Sequence, residues 1–385
     1  MNLAFTGLGT GMRIAQVAPL FESVPPKLYG GTERVVSHLT EALVDQGHDV
    51  TLFASGDSET GAHLVAACER SLRLDANCID QMAHHVLMME KVFAAADSFD
   101  IVHFHIDYMH FPLSRRLGPR RVTTLHGRLD IPDLVPLYRE FPDEPLVSIS
   151  DAQRKPIPWA NWVGTVYHGL PEDLFRFEPR HDDYLAFLGR ISPEKGVEHA
   201  VEIARRAGMK LKVAAKVDAA DREYYETAVR PLFDAPGIEF LGEIDENEKQ
   251  EFLGKAFALL FPIVWPEPFG LVMIEAMACG TPIIAFSNGS VPEVMEDGVS
   301  GFTCDGVDEA VEAVARAGDL NRIECRRYFE RRFTAGRMAS DYVRIYKRVA
   351  QSLSRYSARL TPENHERDTQ AERKLPGTRQ LIPGA

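Results

Sequence analysis

Short apolar runs alternate with amphipathic stretches along this chain, and the alternation restarts once, near its middle. In the first half, Arg13–Ala18, Val50–Ala54, Ile101–His105, Val122–Leu125, Leu146–Ile149 and Thr165–Tyr167 read as strands. Apolar runs this short and this continuous predict strands covered on both faces, as in a parallel sheet. Thr32–Gln46, closed by Gly47, and Met82–Ala96 carry helical spacing between them. After a connection around 169–183, Tyr184–Leu188, Leu211–Ala215, Ile238–Leu241, Ala258–Pro262 and Pro282–Phe286 predict a second strand set with helices between. Two such series predict an α/β protein of two Rossmann-like, doubly wound domains facing across a cleft, residues 12–170 and 183–335. A helix over Arg337–Leu353 follows. Residues 354–385 are polar, charged and aperiodic, which predicts a disordered tail.

Composition narrows the function. The net charge of −13 argues against a nucleic-acid partner, so any phosphate must be met by local cations. No apolar run approaches a membrane span, which leaves peripheral membrane contact open. Five cysteines without a Cys-x-x-Cys pair read as reduced thiols. Residues 1–11 lack the basic and apolar regions of a secretory signal, so the expected location is cytoplasmic.

The densest chemistry lies in Pro266-Glu267-Pro268-Phe269-Gly270-Leu271-Val272-Met273-Ile274-Glu275-Ala276-Met277-Ala278-Cys279-Gly280. The prolines and Gly270 forbid a helix through the first half, while Leu271–Cys279 reads as a buried helix stopped by Gly280 and Pro282. Glu267 then lies in the loop entering that helix and Glu275 near its second turn, both close to free N–H groups. A carboxylate among apolar neighbours is costly without a partner, which a ligand hydroxyl supplies; a loop charge and a satisfied structural one are the plainer alternative.

Three strand ends carry further candidates. Tyr29-Gly30-Gly31-Thr32-Glu33 sits at the first strand–helix turn, where glycines admit a bulky anion or simply a tight turn. Gly189-Arg190-Ile191-Ser192-Pro193-Glu194-Lys195-Gly196 occupies the matching turn of the second half. There Ser192 reads as an N-cap with Pro193 opening the helix. Arg190 and Lys195 would flank its N-terminus, suited to a diphosphate or to ordinary salt bridges. His126-Gly127 ends a strand and reads as a hydroxyl contact or a packed polar residue. His103-Phe104-His105 is weak as a metal pair, lacking a third ligand. Asp107-Tyr108-Met109-His110 reads as part of an acceptor side, and Asn288-Gly289-Ser290 as turn chemistry.

The phrase from Glu267 to Glu275 resembles the E-x7-E signature of retaining glycosyltransferases of family 4, and residues 13 to about 350 carry that family's motifs in order. The resemblance implies GT-B architecture, with the C-terminal helix returning to the first domain. It implies a nucleotide-sugar donor, UDP-sugar favoured and GDP-mannose the alternative, and a sugar, lipid-linked or small-molecule acceptor. Arg190, Lys195, Glu267 and His126 are then the catalytic set. Gly30, Gly31, Lys216, Glu243, Ile244, Phe269, Gly270, Leu271 and Glu275 are the substrate contacts. Lys216 stands where the family commonly has a glycine-rich phrase, which leaves the base undecided. No Asp-x-Asp occurs, so neither metal nor other cofactor is expected. The alternatives are a GT-B sugar-nucleotide epimerase and a non-catalytic sugar-nucleotide-binding subunit. A dehydrogenase is disfavoured, because no strand precedes a Gly-x-Gly-x-x-Gly.

Overall fold

The computed structural model describes residues 11–27, 30–115 and 120–359, the side chains of 352–359 excepted. Tyr29, most of the leader and residues 360–385 of the expected tail lie outside the described residues. The first strand series is β1 Arg13–Val17, β2 Asp49–Ser55, β3 His63–Cys68, β4 Ile101–Phe104, β5 Arg121–Thr124, β6 Leu146–Ser148 and β7 Trp162–Thr165. The second is β8 Tyr184–Arg190, β9 Lys210–Lys216, β10 Ile238–Gly242, β11 Ala258–Phe261, β12 Ile283–Phe286 and β13 Gly301–Cys304. They form two parallel sheets, ordered β3-β2-β1-β4-β5-β6-β7 and β10-β9-β8-β11-β12-β13. This is the two-domain, Rossmann-like GT-B arrangement. Strand order reverses beside β1 and beside β8, and the loops there diverge to opposite faces, opening a crevice at each switch point.

The central strands are legible as apolar runs because helices cover both faces: β4, β5, β11 and β12 are buried throughout. The edges are not. β3 mixes exposed and buried positions, and β13 is four residues opened by Gly301, so neither shows in the apolar pattern. The last strand of the first sheet is Trp162–Thr165, not Thr165–Tyr167. Its pairing with β6 sets Leu146 against Trp162 and Ser148 against Thr165, and Val166 and Tyr167 follow it. The returning helix also exceeds its expected span, running Ala335–Arg359 and taking in residues assigned to the tail. Met338, Tyr342, Ile345, Tyr346 and Val349 recur at helical spacing and are buried against Ile14, Leu39, Ile101 and Val122. This helix completes the core of the first sheet. No helix among the described residues is long and apolar enough to cross a membrane.

Candidate active site

The two switch points face one another across a cavity of about 570 Å³. From the first sheet's side, Gly30, Gly31 and His126 line it. From the second come Arg190, Lys195, Lys216, Glu243, Ile244, Glu267, Phe269, Gly270, Leu271 and Glu275. Three kinds of local structure bring these residues together.

Two helices point their N-termini into the cavity. Gly31–Asp45 and Leu271–Cys279 are each N-capped by a glycine, Gly30 and Gly270, and neither has a side-chain cap, which leaves first-turn N–H groups to act as donors. Gly270 adopts φ 81°, and a Cβ there would stand 2.9 Å from Phe261 Cζ and from Met273 Cε, so only glycine fits. Gly31 approaches Leu271 Cδ1 closely enough that an added Cβ would lie 3.9 Å away, so the two N-termini nearly meet.

Around them stand paired charges. The turn after β8 is not the helix start its sequence suggests. Pro193–Lys195 forms one 3-10 turn, Gly196 reverses the chain at φ 68°, and the helix proper is Val197–Ala207. Only glycine fits at this position, since a Cβ on Gly196 would sit 2.1 Å from the Pro262 carbonyl oxygen. Lys195 is thereby aimed at the loop after β11. Its Nζ pairs with Glu267 Oε2, which also accepts from Trp265 Nε1 at 3.0 Å. Arg190 is held by Glu194 at 2.7 Å, Asp218 at 3.6 Å and Asp221 at 3.8 Å. Lys216 lies 3.2 Å from Asp218. With five N–H donors in a planar fork, Arg190 can keep such contacts and still present donors to an oxyanion.

Glu275, 3% exposed, is satisfied by a residue the sequence reading missed: Lys249 Nζ lies 3.1 Å from its Oε1. Lys249 also reaches Glu246 at 3.7 Å, and Glu246 pairs with Arg34 of the first domain. Lys249 sits on a polar helix with nothing in its local sequence to mark it. Replacing it by Met should lower the melting temperature, read in thermal melts, because a buried carboxylate loses its cation.

The Asn288-Gly289-Ser290 turn does more than end a strand. Asn288 donates to the Ile263 carbonyl at 2.7 Å, Ser290 N to the Glu267 carbonyl at 2.9 Å, and Ser290 Oγ to the Phe269 carbonyl at 2.9 Å. It clamps the Glu267 loop in place.

Aromatic rings close the first-domain side. His126 stacks on His168 at 5.4 Å, and His168 meets Phe269 edge-on at 4.7 Å, so a ring column spans the domains. Burial drives the His126 pKa down to about 3, which keeps it a neutral hydrogen-bonding group. His103 and His105 are engaged in hydrogen bonds with Thr124, Tyr346, Gln16 and His126. Among the described residues no group of three or more His, Cys, Asp or Glu is arranged to hold a metal ion. Asp107, at φ 50°, is the one non-glycine residue among those described with positive φ. It lines the cavity, and desolvation pushes its carboxyl up to about 6.

Comparison with known proteins identifies the family. The family model for glycosyl transferases group 1 matches residues 172–332, and that for Glycosyltransferase Family 4 matches residues 29–169. An uncharacterised glycosyltransferase of Methanocaldococcus jannaschii is 32% identical over 342 residues, 76% of this chain and 84% of its own length. An alpha-maltose-1-phosphate synthase of Mycolicibacterium smegmatis is 27% identical over 333 residues, 74% of this chain and 84% of its own. An Anabaena protein solved in complex with UDP-glucose shares the fold at TM-score 0.64 and 16% identity, covering 89% of this chain and 99% of that one. With both halves matched, and a relative at that identity aligned over most of its length, this chain belongs to the group 1, family 4 glycosyltransferases of GT-B fold.

Proposed function

We propose that the enzyme transfers a sugar from a nucleotide-sugar donor, a UDP-sugar before GDP-mannose, to an acceptor hydroxyl with retention at the anomeric carbon. The observation that carries this reading is the convergence of Arg190, Lys195 and two uncapped helix N-termini on one cavity. When the glycosidic bond to the diphosphate breaks, negative charge gathers on the β-phosphate and positive charge on the sugar ring. Preorganised donors aimed at such developing charge are usually the largest catalytic contribution. Arg190 and Lys195 supply fixed cations, and the helix ends supply N–H groups. In this reading the leaving charge is met without a divalent ion, which suits a chain lacking Asp-x-Asp.

Glu267 and the N–H groups of Phe269, Gly270 and Leu271 would hold hydroxyls of the transferred sugar. Glu275, held in place by its pair with Lys249, would accept from the ribose. Glu243 and Ile244 precede the helix Glu246–Gly254 and would meet the base through backbone groups. His126 would contact the sugar from the first domain, and Asp107 would face the acceptor. The resemblance implies front-face attack, in which the departing phosphate oxygen takes the acceptor's proton. Glu267 is committed to Lys195 and Trp265, so casting it as a water-activating base is disfavoured. The Anabaena neighbour's UDP-glucose supports a UDP-sugar.

A thermal-shift screen of UDP-, GDP- and ADP-sugars should single out one donor that raises the melting temperature. Transfer from that donor, read by NMR of the product anomer, should preserve the donor's configuration. An inverted product would overturn the retaining reading, and no stabilisation by any of the three classes would overturn the donor assignment.

A further inference from the structure

Behind His126 a hydrogen-bonded chain runs through the core of the first domain to the returning helix. His126 Nε2 lies 2.9 Å from His105 Nδ1, and His105 Nε2 lies 2.7 Å from Gln16 Oε1. Gln16 Nε2 donates to Tyr346 Oη at 3.1 Å, and that hydroxyl lies 2.8 Å from His103 Nδ1. His103 Nε2 lies 2.7 Å from Thr124 Oγ1, which lies 2.9 Å from Tyr342 Oη. From His105 inward every member is at most 2% exposed.

Such a chain has a sense. A neutral imidazole carries one donor and one acceptor, whereas an amide oxygen only accepts. Gln16 Oε1 therefore requires the proton of His105 on Nε2. The bare Nδ1 of His105 then requires the proton of His126 on Nε2. Burial holds His103, His105 and His126 neutral, so none escapes the rule by protonating at both nitrogens. The ring atom of His126 outside this chain is Nδ1, a lone pair, and His126 lines the cavity. This sense follows the Gln16 amide, whose Oε1 faces His105 and whose Nε2 donates to the hydroxyl of Tyr346, a residue of the returning helix.

We propose that Gln16, His105 and Tyr346 are positioning residues that lock His126 in its Nε2–H tautomer, so that it presents Nδ1 as an acceptor to a hydroxyl of the transferred sugar. The contact with sugar rests on the function proposed above; the lock itself does not. On this account the C-terminal helix contributes to the site through a proton order as well as through packing.

The test is a reversal of sense. In Gln16→Glu, a buried carboxylate beside His105 favours the imidazolium, whose two nitrogens both donate. His126 must then accept at Nε2 and carry its proton on Nδ1. Tyr346→Phe leaves one end of the Gln16 amide unpaired in either orientation, so both senses become populated. Nitrogen-15 NMR of histidine-labelled protein should show His126 as Nε2–H in the unmodified enzyme, interchanged in Gln16→Glu and mixed in Tyr346→Phe. Melting temperature and circular dichroism establish that each variant is folded. Wild-type His126 shifts in folded Tyr346→Phe, or an Nδ1–H tautomer in the unmodified enzyme, would overturn the lock. Transfer by Gln16→Glu should fall about tenfold, the worth of one hydrogen bond, while the Kd for UDP stays unchanged. Interchange without loss of transfer would strike at the sugar contact and leave the lock standing.

Discussion

Lys195→Ala should lower kcat about 10²- to 10³-fold, the loss typical of removing one preorganised donor to a developing oxyanion. Arg190→Ala should fall in the same range, since on the proposed function each would supply a different part of the charge facing the diphosphate. Stability should respond far less. Lys195 is a half-buried cation whose removal leaves Glu267 with the Trp265 indole as its remaining side-chain partner. That costs about 1–3 kcal/mol, a shift of several degrees in melting temperature. Arg190 is one third exposed, and its carboxylate neighbours regain water when it is lost. Steady-state kinetics with the donor selected by thermal shift, run beside melting curves, separates the two effects. Turnover unchanged in either folded variant would remove the electrostatic basis of the proposed reaction.

A second large effect is expected from a residue that touches no ligand. Gly289 adopts φ 58°, and a Cβ there would stand 2.3 Å from the backbone nitrogen of Glu267 and 2.4 Å from its carbonyl oxygen. Neither atom is the end of a flexible side chain, so the loop itself must move. Gly289→Ala should push the Glu267 loop away from Lys195 and break the Ser290–Glu267 backbone bond. Displacing a positioned group by about 1 Å costs on the order of 10² in rate. The strained φ and the clash together should cost about 1–3 kcal/mol in stability. Kinetics and denaturant melts measure the two losses. Near-normal turnover in Gly289→Ala would show that the loop's position is not what makes Glu267 effective.

Much of this protein is legible in one dimension, and particular elements show why. Each central strand buries both faces, so β4 or β11 stands out as an apolar run whatever its partners. The Glu267–Glu275 phrase is equally readable, because proline and glycine on one side and an apolar block on the other fix a loop–helix junction locally. Misreadings fall where the decisive partner is remote in sequence. The Ser192-Pro193 pair has good helix-start chemistry, yet only a 3-10 turn forms there and the helix begins at Val197 after Gly196, a position where the Pro262 carbonyl beneath leaves room for no side chain. β3 and β13 form by pairing with β2 and β12, and their own residues barely announce them. His103 and His105 resemble a weak metal pair until Gln16 and Tyr346 fill their hydrogen-bonding capacity. Lys249 is unremarkable until the fold sets it against Glu275.

The chain's own periodicity and its local turn chemistry settled the α/β class, the two series of strands, the presence of a C-terminal helix and the residue types at the strand ends. These depend on neighbours within a few positions, where propensity and pattern act directly. Tertiary structure decided which charges face each other, which carboxylates have partners, and which nitrogen of a buried histidine carries its proton. Those outcomes depend on distances between groups up to 330 residues apart, as between Gln16 and Tyr346, and such distances exist only once both sheets and the C-terminal helix have packed.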